Sequence, residues 1–422
     1  MPVITPWEVE GVVDYQRLLE EFGISPFEEL LEAVPEPHRL MRRGIIFGHR
    51  DYGRIIEAMK GQKEFSVMSG FMPSGEIHFG HKMTMEEIIW HQKMGAKAFV
   101  AIADMEAHLV RGISWEKTRE IGMTYVKSII ALGLEKDAII YFQSKNERVK
   151  NLAFELSSEV NFSEMRAIYG FSGESQISKA IVSLIQSADI LQPQLKEFGG
   201  PKPVVVPVGA DQDPHLRLTR DLASRISVFS FERIENGLRV RSRREGMLEK
   251  LEGIGFDFRK HAGHLDIFGN ADEIEDEIRK IEVELGGYAF IPPSSIYHKF
   301  TTGLTGGKMS SSKPESYISL LEKPENASKK IKNALTGGRA TAEEQRRLGG
   351  EPEKCVIFEL YTYHLIEKDE ELEKIREDCI CGRILCGQCK KMAEDLLISF
   401  LKEHREKMDE AESLIEEYTI IS

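Results

Sequence analysis

The sequence contains little cysteine, with five residues in 422, all of them between Cys355 and Cys389. So few cysteines exclude a disulfide-stapled scaffold. No run approaches 18 consecutive apolar residues, which excludes a membrane-spanning helix. The N-terminal stretch lacks the basic start and apolar core of a secretory signal. We therefore expect a cytoplasmic protein that has no membrane partner.

An excess of positive charge is also missing, since 56 lysines and arginines face 69 acidic residues, for a net charge of −13. This balance argues against non-specific, salt-driven binding to bulk nucleic acid, although a local basic face is enough for a specific RNA contact. Apolar residues make up 41% and charged residues 30%, as in ordinary globular proteins. The length predicts two or three domains.

Apolar runs typical of buried strands alternate with segments of helical spacing in the first half of the chain. A strand, a glycine turn, a helix and a second strand within about 40 residues form a βαβ unit, which implies a parallel sheet. We predict an α/β protein with a Rossmann-type parallel-sheet domain. The predicted strands cover residues 65–70, 97–104, 138–144 and 201–209.

The rest of the chain differs in composition and suggests further modules. Residues 226–290 are rich in Arg, Glu and Gly and predict a small α+β insertion, and 318–422 predict an all-α C-terminal domain. Residues 1–60 read as an N-terminal extension, which leaves 61–225 and 291–317 for the parallel-sheet domain. If LRVRSR is a strand, Arg239, Arg241 and Arg243 share one face. That face could contact RNA or be merely solvated.

The first chemical motif is Pro73–Ser74–Gly75 followed by His78–Phe79–Gly80–His81. It lies where a parallel strand passes into a helix, and ligands of open α/β sheets bind at this end of the strands. A helix N-terminus offers free N–H groups for phosphate, and Gly80 lets a nucleotide approach the backbone. Two imidazoles three residues apart could stabilise charge on one phosphoryl group.

The second motif is the loop Gly306–Gly307–Lys308–Met309–Ser310–Ser311–Ser312–Lys313. Glycine and serine make a mobile, hydrogen-bonding loop, and its lysine could reach polyphosphate oxygens as a point charge. The order of residues is not that of a Walker A loop. Alone, the segment fits a flexible polar linker equally well.

Together and in this order, the two motifs resemble the HIGH and KMSKS signatures of class I aminoacyl-tRNA synthetases, here HFGH and KMSSS. The segments RRGIIFGHRD, GADQDPHLRLTRD and GGRATAEEQRRLGG resemble the archaeal and eukaryotic tryptophanyl branch of that family. The resemblance implies activation of tryptophan by ATP with Mg²⁺, followed by transfer to tRNA(Trp), in a homodimer whose helical domain binds the anticodon.

The resemblance also implies roles for individual residues. The catalytic groups would be His78, His81, Lys308 and Ser310. The ATP-binding set would be Pro73, Ser74, Gly75, His78, Gly80, His81, Lys308, Met309, Ser310 and Ser312. The amino-acid-binding set would be Met68, Glu106, Gln186 and Gln212, with Glu106 near the substrate ammonium.

Two positions depart from the family's eukaryotic pocket. Met68 stands where that branch has a tyrosine, and Ala101 stands where it has a glutamine, both of which hydrogen-bond the indole N–H. Either another group replaces them, with His108 as a candidate, or the substrate is not tryptophan. The tyrosyl enzyme is therefore the main alternative. A small-molecule nucleotidyltransferase and a catalytically silent, synthetase-like RNA-binding protein are the others.

The cysteines form the last candidate site. Cys386-x-x-Cys389 is a metal-type pair, and Cys355 and Cys379 complete a set of four thiolates. Four thiolates suit tetrahedral Zn²⁺ or a [4Fe–4S] cluster. The spacing resembles that of cluster-binding tryptophanyl enzymes from some bacteria, with one more residue in the first gap. Cys381 remains unassigned, and reduced, buried cysteines without a metal are the alternative.

Overall fold

The computed structural model of the protein describes residues 3–5, 8–10, 14–307, 309 and 314–421. The described strands form three sheets, of two, four and eight strands. They are β1 (Val3–Thr5), β2 (Glu8–Glu10), β3 (Ser25–Pro26), β4 (Ile46–Arg50), β5 (Ser66–Phe71), β6 (Lys97–Ile102), β7 (Ile139–Phe142), β8 (Val204–Gly209), β9 (Phe229–Ile234), β10 (Gly237–Ser242), β11 (Asp257–His261), β12 (His264–Phe268), β13 (Ser294–His298) and β14 (Thr419–Ile421).

Helices cover both faces of the largest sheet and make up most of the C-terminal region. They are α1 (Tyr15–Phe22), α2 (Arg39–Arg42), α3 (Gly53–Gly61), α4 (Phe79–Lys93), α5 (Asp104–Arg111), α6 (Trp115–Ala131), α7 (Glu147–Leu156), α8 (Phe162–Tyr169), α9 (Ile177–Leu191), α10 (Asp213–Ile226), α11 (Ala271–Glu284), α12 (Pro324–Asn333), α13 (Ala342–Leu348), α14 (Val356–Leu360), α15 (Asp369–Ile380) and α16 (Cys386–Leu414). Within the described residues, no helix is both long and apolar enough to cross a bilayer.

The eight-stranded sheet has the order β14-β7-β6-β5-β8-β13-β4-β3. The first six strands in this order run parallel to one another. At the edge of the sheet, β4 pairs antiparallel to β13, and β3 pairs antiparallel to β4. Strands covered on both faces bury every side chain, so they read as continuous apolar runs such as FVAI and VVVPV. The predicted α/β fold with a parallel sheet is confirmed.

Four strands of this sheet, β3, β4, β13 and β14, were not predicted. β4 belongs to the segment that we predicted as an N-terminal extension, and β13 follows the insertion. β14, the end of the chain, pairs parallel to β7. Thus the chain after residue 318 is helical except for this strand. Polar residues interrupt β4 and β13 (IFGHR and SSIYH), so neither has the unbroken apolar pattern of a buried strand.

The insertion is a four-stranded antiparallel sheet of order β11-β12-β10-β9, covered on one face by α11. Its own apolar core includes Leu238, Val240, Leu265, Ile267 and Ile274. The predicted small α+β module is therefore present. Its other sheet face carries charged and imidazole side chains, including Arg239 and Asp266, which form an ion pair.

The C-terminal helices pack directly on the parallel-sheet domain. Buried Val356, Ile357 and Leu397 belong to the same apolar cluster as Ile129 of α6. The hydroxyl of Ser128 on α6 lies 2.8 Å from Nε2 of His404 on α16, and both side chains are buried. The long helix α16 is thereby fixed against the domain that carries the site.

Candidate active site

A cavity of about 340 Å³ opens at the carboxyl ends of the parallel strands. Its walls come from the ends of β5, β8 and β13, from the start of α4 and from α9. This is the position at which open α/β sheets bind ligands, and the volume lies within the usual range of small-molecule pockets. The cavity brings together Ser74, His78, Gly80 and His81 of the first motif and the four residues predicted to bind the amino acid.

Two imidazoles form the wall at the start of α4. The ring centroids of His78 and His81 lie 4.0 Å apart, and the two rings are tilted by 35°. The Nδ1 atom of His78 accepts from the Gly80 amide at 3.1 Å, and Nδ1 of His81 accepts from the His78 amide at 3.2 Å. Since each Nδ1 is an acceptor, the proton of each neutral ring is on Nε2. This tautomer provides an N–H donor on each ring.

Burial keeps both rings neutral. It lowers the pKa of His81 to about 4 and, together with the neighbouring His81, lowers the pKa of His78 well below its usual range. At neutral pH the pair therefore acts through preorganised hydrogen bonds and not through full positive charges. Fixed donors of this kind stabilise charge that develops on a phosphoryl oxygen during reaction.

The structure corrects one prediction about α4. We expected free backbone N–H groups at its N-terminus, but the amide of Phe79 donates to Ile318 O at 3.4 Å and that of Gly80 donates to the His78 ring. The Nε2–H groups of His78 and His81 are therefore the candidate donors to a phosphate at this end of the cavity. The structure also gives a different reason for glycine at position 80 from the close approach of a nucleotide. A Cβ there would lie only 3.0 Å from Cε1 of His78.

The other predicted ATP-binding residues separate into three groups. Ser74 and Met309 line the cavity. Pro73 and Gly75 are not among its lining residues, and the Gly75 carbonyl instead accepts from the Tyr125 hydroxyl at 3.1 Å. The predicted roles of Lys308, Ser310 and Ser312 concern positions outside the described residues.

Thr302, which precedes the second motif, contacts the C-terminal helices. The amide and the hydroxyl of Thr302 each donate to the Glu359 carboxylate of α14, both at 2.6 Å. The Met309 amide donates to Thr301 O at 2.9 Å. This flank therefore has fixed backbone contacts at the point where Met309 enters the cavity wall.

The other end of the cavity is suited to an amino acid. Glu106 on α5, Gln186 on α9, Gln212 before α10 and Met68 on β5, the four residues predicted to bind the amino acid, all line it. Nε2 of Gln186 donates to Oε1 of Gln212 at 3.0 Å. Burial raises the pKa of the Glu106 carboxyl to about 7. A buried carboxylate of this kind is a natural partner for a substrate ammonium.

Sequence reasoning missed a second polar group in this end. Asp189 and Gln143 also line the cavity. The Tyr141 hydroxyl donates to Oδ1 of Asp189 at 2.9 Å, and Nε2 of Gln143 donates to Oδ2 at 2.6 Å. Oε1 of Gln143 is buried and has no hydrogen-bond partner among the described residues. It is an acceptor available to a ligand N–H.

These acceptors are candidates for the role that Met68 and Ala101 leave open. Ala101 pairs directly with Tyr141 in the sheet and is not among the lining residues. His108, our candidate replacement, is also not among them: its Nδ1 donates to Ile113 O at 2.7 Å, and its ring stacks on Trp115. A usable signal was present in the sequence, since Gln143 directly follows a parallel strand.

The raised pKa of Glu106 predicts a pH dependence. Below about pH 7 the carboxyl becomes neutral and no longer pairs with an ammonium group, so kcat/KM for the amino acid should fall as pH decreases through this region. Burial also raises the pKa of Asp189 to about 7, so its protonation should contribute to the same decrease in kcat/KM. Initial rates at subsaturating amino acid against pH measure the effect, and a flat profile would contradict it.

The four predicted cysteine ligands lie around one small apolar cavity. Cys355, Cys379, Cys386 and Cys389 line it, whereas Cys381 is exposed and does not. Burial and the neighbouring thiols raise the pKa of Cys379 to about 11, and burial raises that of Cys389 to about 12. Without a cation these thiols remain protonated.

Glycines allow the chain to close over the sulfur atoms. A Cβ at Gly338 would lie 2.5 Å from Sγ of Cys386, and one at Gly350 would lie 2.8 Å from Sγ of Cys379. Within the described residues, no three cysteine sulfurs lie within 4.8 Å of one another. A single tetrahedral zinc, with bonds of about 2.3 Å, would bring them to about 3.8 Å.

Comparison with known proteins identifies the family. The model of "tRNA synthetases class I (W and Y)" matches residues 59–253 and 270–402, which is more than half of the chain. The chain therefore belongs to the class I tRNA synthetases for tryptophan and tyrosine, and it is an aminoacyl-tRNA synthetase.

Individual relatives lie on the tryptophan side of this family. The tryptophan–tRNA ligase of Archaeoglobus fulgidus is 68% identical over 419 residues, covering 99% of each chain. That of Methanosarcina acetivorans is 54% identical over 430 residues, covering 99% of this chain and 98% of its own. The crystal structure of tryptophanyl-tRNA synthetase from Aeropyrum pernix K1 superposes with a TM-score of 0.76 at 42% identity, covering 99% of each chain.

Proposed function

We propose that this chain is a tryptophan–tRNA ligase, which activates tryptophan with ATP and transfers it to tRNA(Trp). The observation that carries the proposal is the single cavity in which the His78 and His81 donors meet the polar residues of the amino-acid end. Likeness to tryptophan–tRNA ligases along the whole chain supports the choice of amino acid.

The first step needs no nucleophile from the protein. The carboxylate oxygen of tryptophan attacks the α-phosphorus of ATP, a new P–O bond forms, and the bond to the β-phosphate oxygen breaks to release pyrophosphate. Catalysis then consists of positioning and charge stabilisation. Mg²⁺ bound with ATP neutralises part of the polyphosphate charge. Nε2–H of His78 and of His81 donates to phosphate oxygens, and Glu106 holds the ammonium group.

The indole N–H is the feature that separates tryptophan from other aromatic amino acids. We assign its recognition to the acceptors at Asp189 and Gln143, which replace the groups missing at Met68 and Ala101. The carboxylate of Asp189 is oriented by Tyr141 and Gln143, and Oε1 of Gln143 is otherwise unpaired. A site with buried acceptors rejects a ligand that lacks the matching donor, because the acceptors are left unpaired.

The direct test of the whole reaction is aminoacylation. Purified protein, ATP, Mg²⁺ and tRNA(Trp) transcript should form tryptophanyl-tRNA, and tRNA(Tyr) with tyrosine should not be charged. Charging of tRNA(Tyr) with tyrosine in place of tryptophan would support the tyrosyl alternative. Formation of adenylate without any transfer would refute the second half of the proposal.

The C-terminal helical region, residues 318–422, is assigned to tRNA binding. Basic side chains of this region cluster at Lys329–Lys330, Lys332 and Arg346–Arg347. Lys330 already forms an ion pair with Glu322 at 2.5 Å, whereas Arg346 and Arg347 are exposed on α13. Exposed arginines are the better candidates for phosphate contacts.

We further propose that Cys355, Cys379, Cys386 and Cys389 hold a [4Fe–4S] cluster in preference to zinc. The proposal rests on the shared cavity and on sulfur spacings wider than a single tetrahedral ion requires. A cluster distributes its four thiolates over four iron atoms, which keeps them further apart. Its four cysteines lie directly before α14, on α15 and in the first turn of α16, so the cluster is a structural element of the helical region.

Cysteine variants test this centre. Anaerobically purified protein should contain about four iron atoms per chain and show the broad visible absorbance of an iron–sulfur cluster. Cys386→Ser should lose both iron and absorbance, because one ligand is removed. Cys381→Ser is the matched control and should retain them, since its thiol is exposed outside the cavity. Zinc in stoichiometric amount, or equal iron in both variants, would contradict the cluster.

A homodimer is also part of the proposal. Large apolar side chains are exposed on three consecutive helices, namely Phe154 on α7, Phe162 on α8, and Ile177 and Ile181 on α9. Exposed apolar surface of this kind marks protein interfaces. Light scattering on a sizing column should give twice the chain mass of 47.9 kDa. Phe162→Asp should shift the mass toward the monomer, whereas Phe258→Asp on the insertion should not.

A further inference from the structure

The insertion carries a cluster of two histidines and one aspartate that takes no part in the cavity above. His261 ends β11 and His264 begins β12, and the two residues pair directly across a two-residue turn. Asp266 lies two residues further along β12, so it shares their face of the sheet. None of the residues lining the catalytic cavity lies between positions 213 and 297.

The three side chains converge. Nε2 of His261 lies 3.4 Å from Oδ2 of Asp266, and Nε2 of His264 lies 3.7 Å from Oδ1. Among the residues described, this is the one group in which three potential metal-ligand atoms lie within 4.8 Å of one another. A tetrahedral ion with bonds of about 2.0–2.2 Å places its ligands about 3.3–3.6 Å apart. The two nitrogen–oxygen distances, 3.4 and 3.7 Å, are close to this spacing.

A second observation points to a missing partner. Nε2 of His261 is buried and makes no hydrogen bond within the described part of the chain. A shielded polar atom without a partner is unfavourable, and a bound cation would supply the partner. The rings of His261 and His264 stack at 4.5 Å and are nearly parallel, at 8°.

Arg239 sets the orientation of the carboxylate and limits which ion can bind. Its Nε donates to Oδ1 of Asp266 at 2.8 Å and its Nη2 donates to Oδ2 at 3.1 Å. A carboxylate has about four lone-pair sites, so acceptor capacity remains on each oxygen. Outer partners of this kind orient metal ligands. The arginine charge disfavours weakly bound cations, so an ion with high affinity for imidazole is required.

We propose that His261, His264 and Asp266 form a site for a divalent transition-metal ion of the zinc class. Two imidazoles and one carboxylate suit such an ion, whereas Mg²⁺ and Ca²⁺ prefer oxygen ligands. The fourth position is open to water, because His261 and His264 are partly exposed. The ion ties the β11–β12 turn to β10 through Asp266 and Arg239, so its role is structural.

Cobalt binding to the full-length protein tests the site. Co²⁺ bound by thiolates shows intense sulfur-to-metal charge-transfer bands, whereas Co²⁺ bound by imidazole and carboxylate shows tetrahedral d–d bands without them. The wild-type protein should bind one equivalent of the second kind, and Zn²⁺ should displace it. His264→Ala removes a ligand and should weaken binding by more than about 100-fold. His108→Ala, a histidine outside the cluster, should bind like the wild type.

The contradicting results are equally specific. Equal binding by the wild type and His264→Ala would overturn the site, as would cobalt spectra that contain thiolate bands alone. ATP–pyrophosphate exchange by His264→Ala should equal that of the wild type, which shows that the variant is folded. This readout also separates the failure of the metal site from a failure of the proposed function.

Discussion

His81→Ala is expected to lower tryptophan-dependent ATP–pyrophosphate exchange by about 10²–10³-fold, the usual cost of removing one preorganised donor from a reacting oxygen. The substitution deletes an Nε2–H whose direction is fixed by the bond from the His78 amide to Nδ1. The loss should fall mainly on kcat, because the donor acts on charge that develops in the transition state.

His108→Ala is the matched control for this prediction. It removes a histidine of similar chemistry that is not among the residues lining the cavity. Its exchange rate should remain near that of the wild type. Thermal melting of both variants separates a catalytic loss from a folding defect, since His81 also contributes to the cap of α4. Wild-type kcat in folded His81→Ala protein would remove the imidazole pair from the mechanism.

Asp189→Asn should produce the second large effect, a decrease of about 10–100-fold in kcat/KM for tryptophan. The substitution replaces one acceptor oxygen with an NH₂ group, and hydrogen bonds to charged groups contribute about 1.5–3 kcal/mol. The new NH₂ also faces donors, because Tyr141 and Gln143 both donate to this carboxylate. Exchange kinetics at varied tryptophan concentration measure the change.

An analogue makes this test specific for the indole N–H. The wild type should strongly prefer tryptophan to the analogue with sulfur in place of the ring N–H, and Asp189→Asn should lose much of that preference. Asp104→Asn is the matched control, since Asp104 is buried, accepts from the Ser144 amide at 3.0 Å and does not line the cavity. An unchanged preference in Asp189→Asn would place indole recognition elsewhere.

Local patterns in the sequence predict much of the fold and the position of the histidine motif in the cavity. The strands β5 to β8 are apolar runs bounded by glycine and proline, so their buried positions can be read from composition alone. The histidine motif follows one of these strands directly, which places it at the carboxyl end of the sheet. Parallel strand order then brings Glu106 to the same cavity.

The features that the sequence did not predict depend on distant contacts. Asp189 becomes an oriented acceptor because Tyr141, 48 residues away, donates to it. The use of the His78 ring as a helix cap, which accepts from the Gly80 amide, is not anticipated because caps are usually Ser, Thr, Asp or Asn. Likewise β14 becomes a strand because the last residues return to β7, far away in the chain.

The most direct test of the central claim is amino-acid-dependent ATP–pyrophosphate exchange by the purified protein, with tryptophan and tyrosine measured side by side. We expect exchange with tryptophan and none above background with tyrosine. Exchange with tyrosine alone would contradict the assignment of Asp189 and Gln143 to an indole N–H. Absence of exchange with both amino acids, in folded protein supplied with ATP, Mg²⁺ and tRNA(Trp), would contradict the proposed reaction itself.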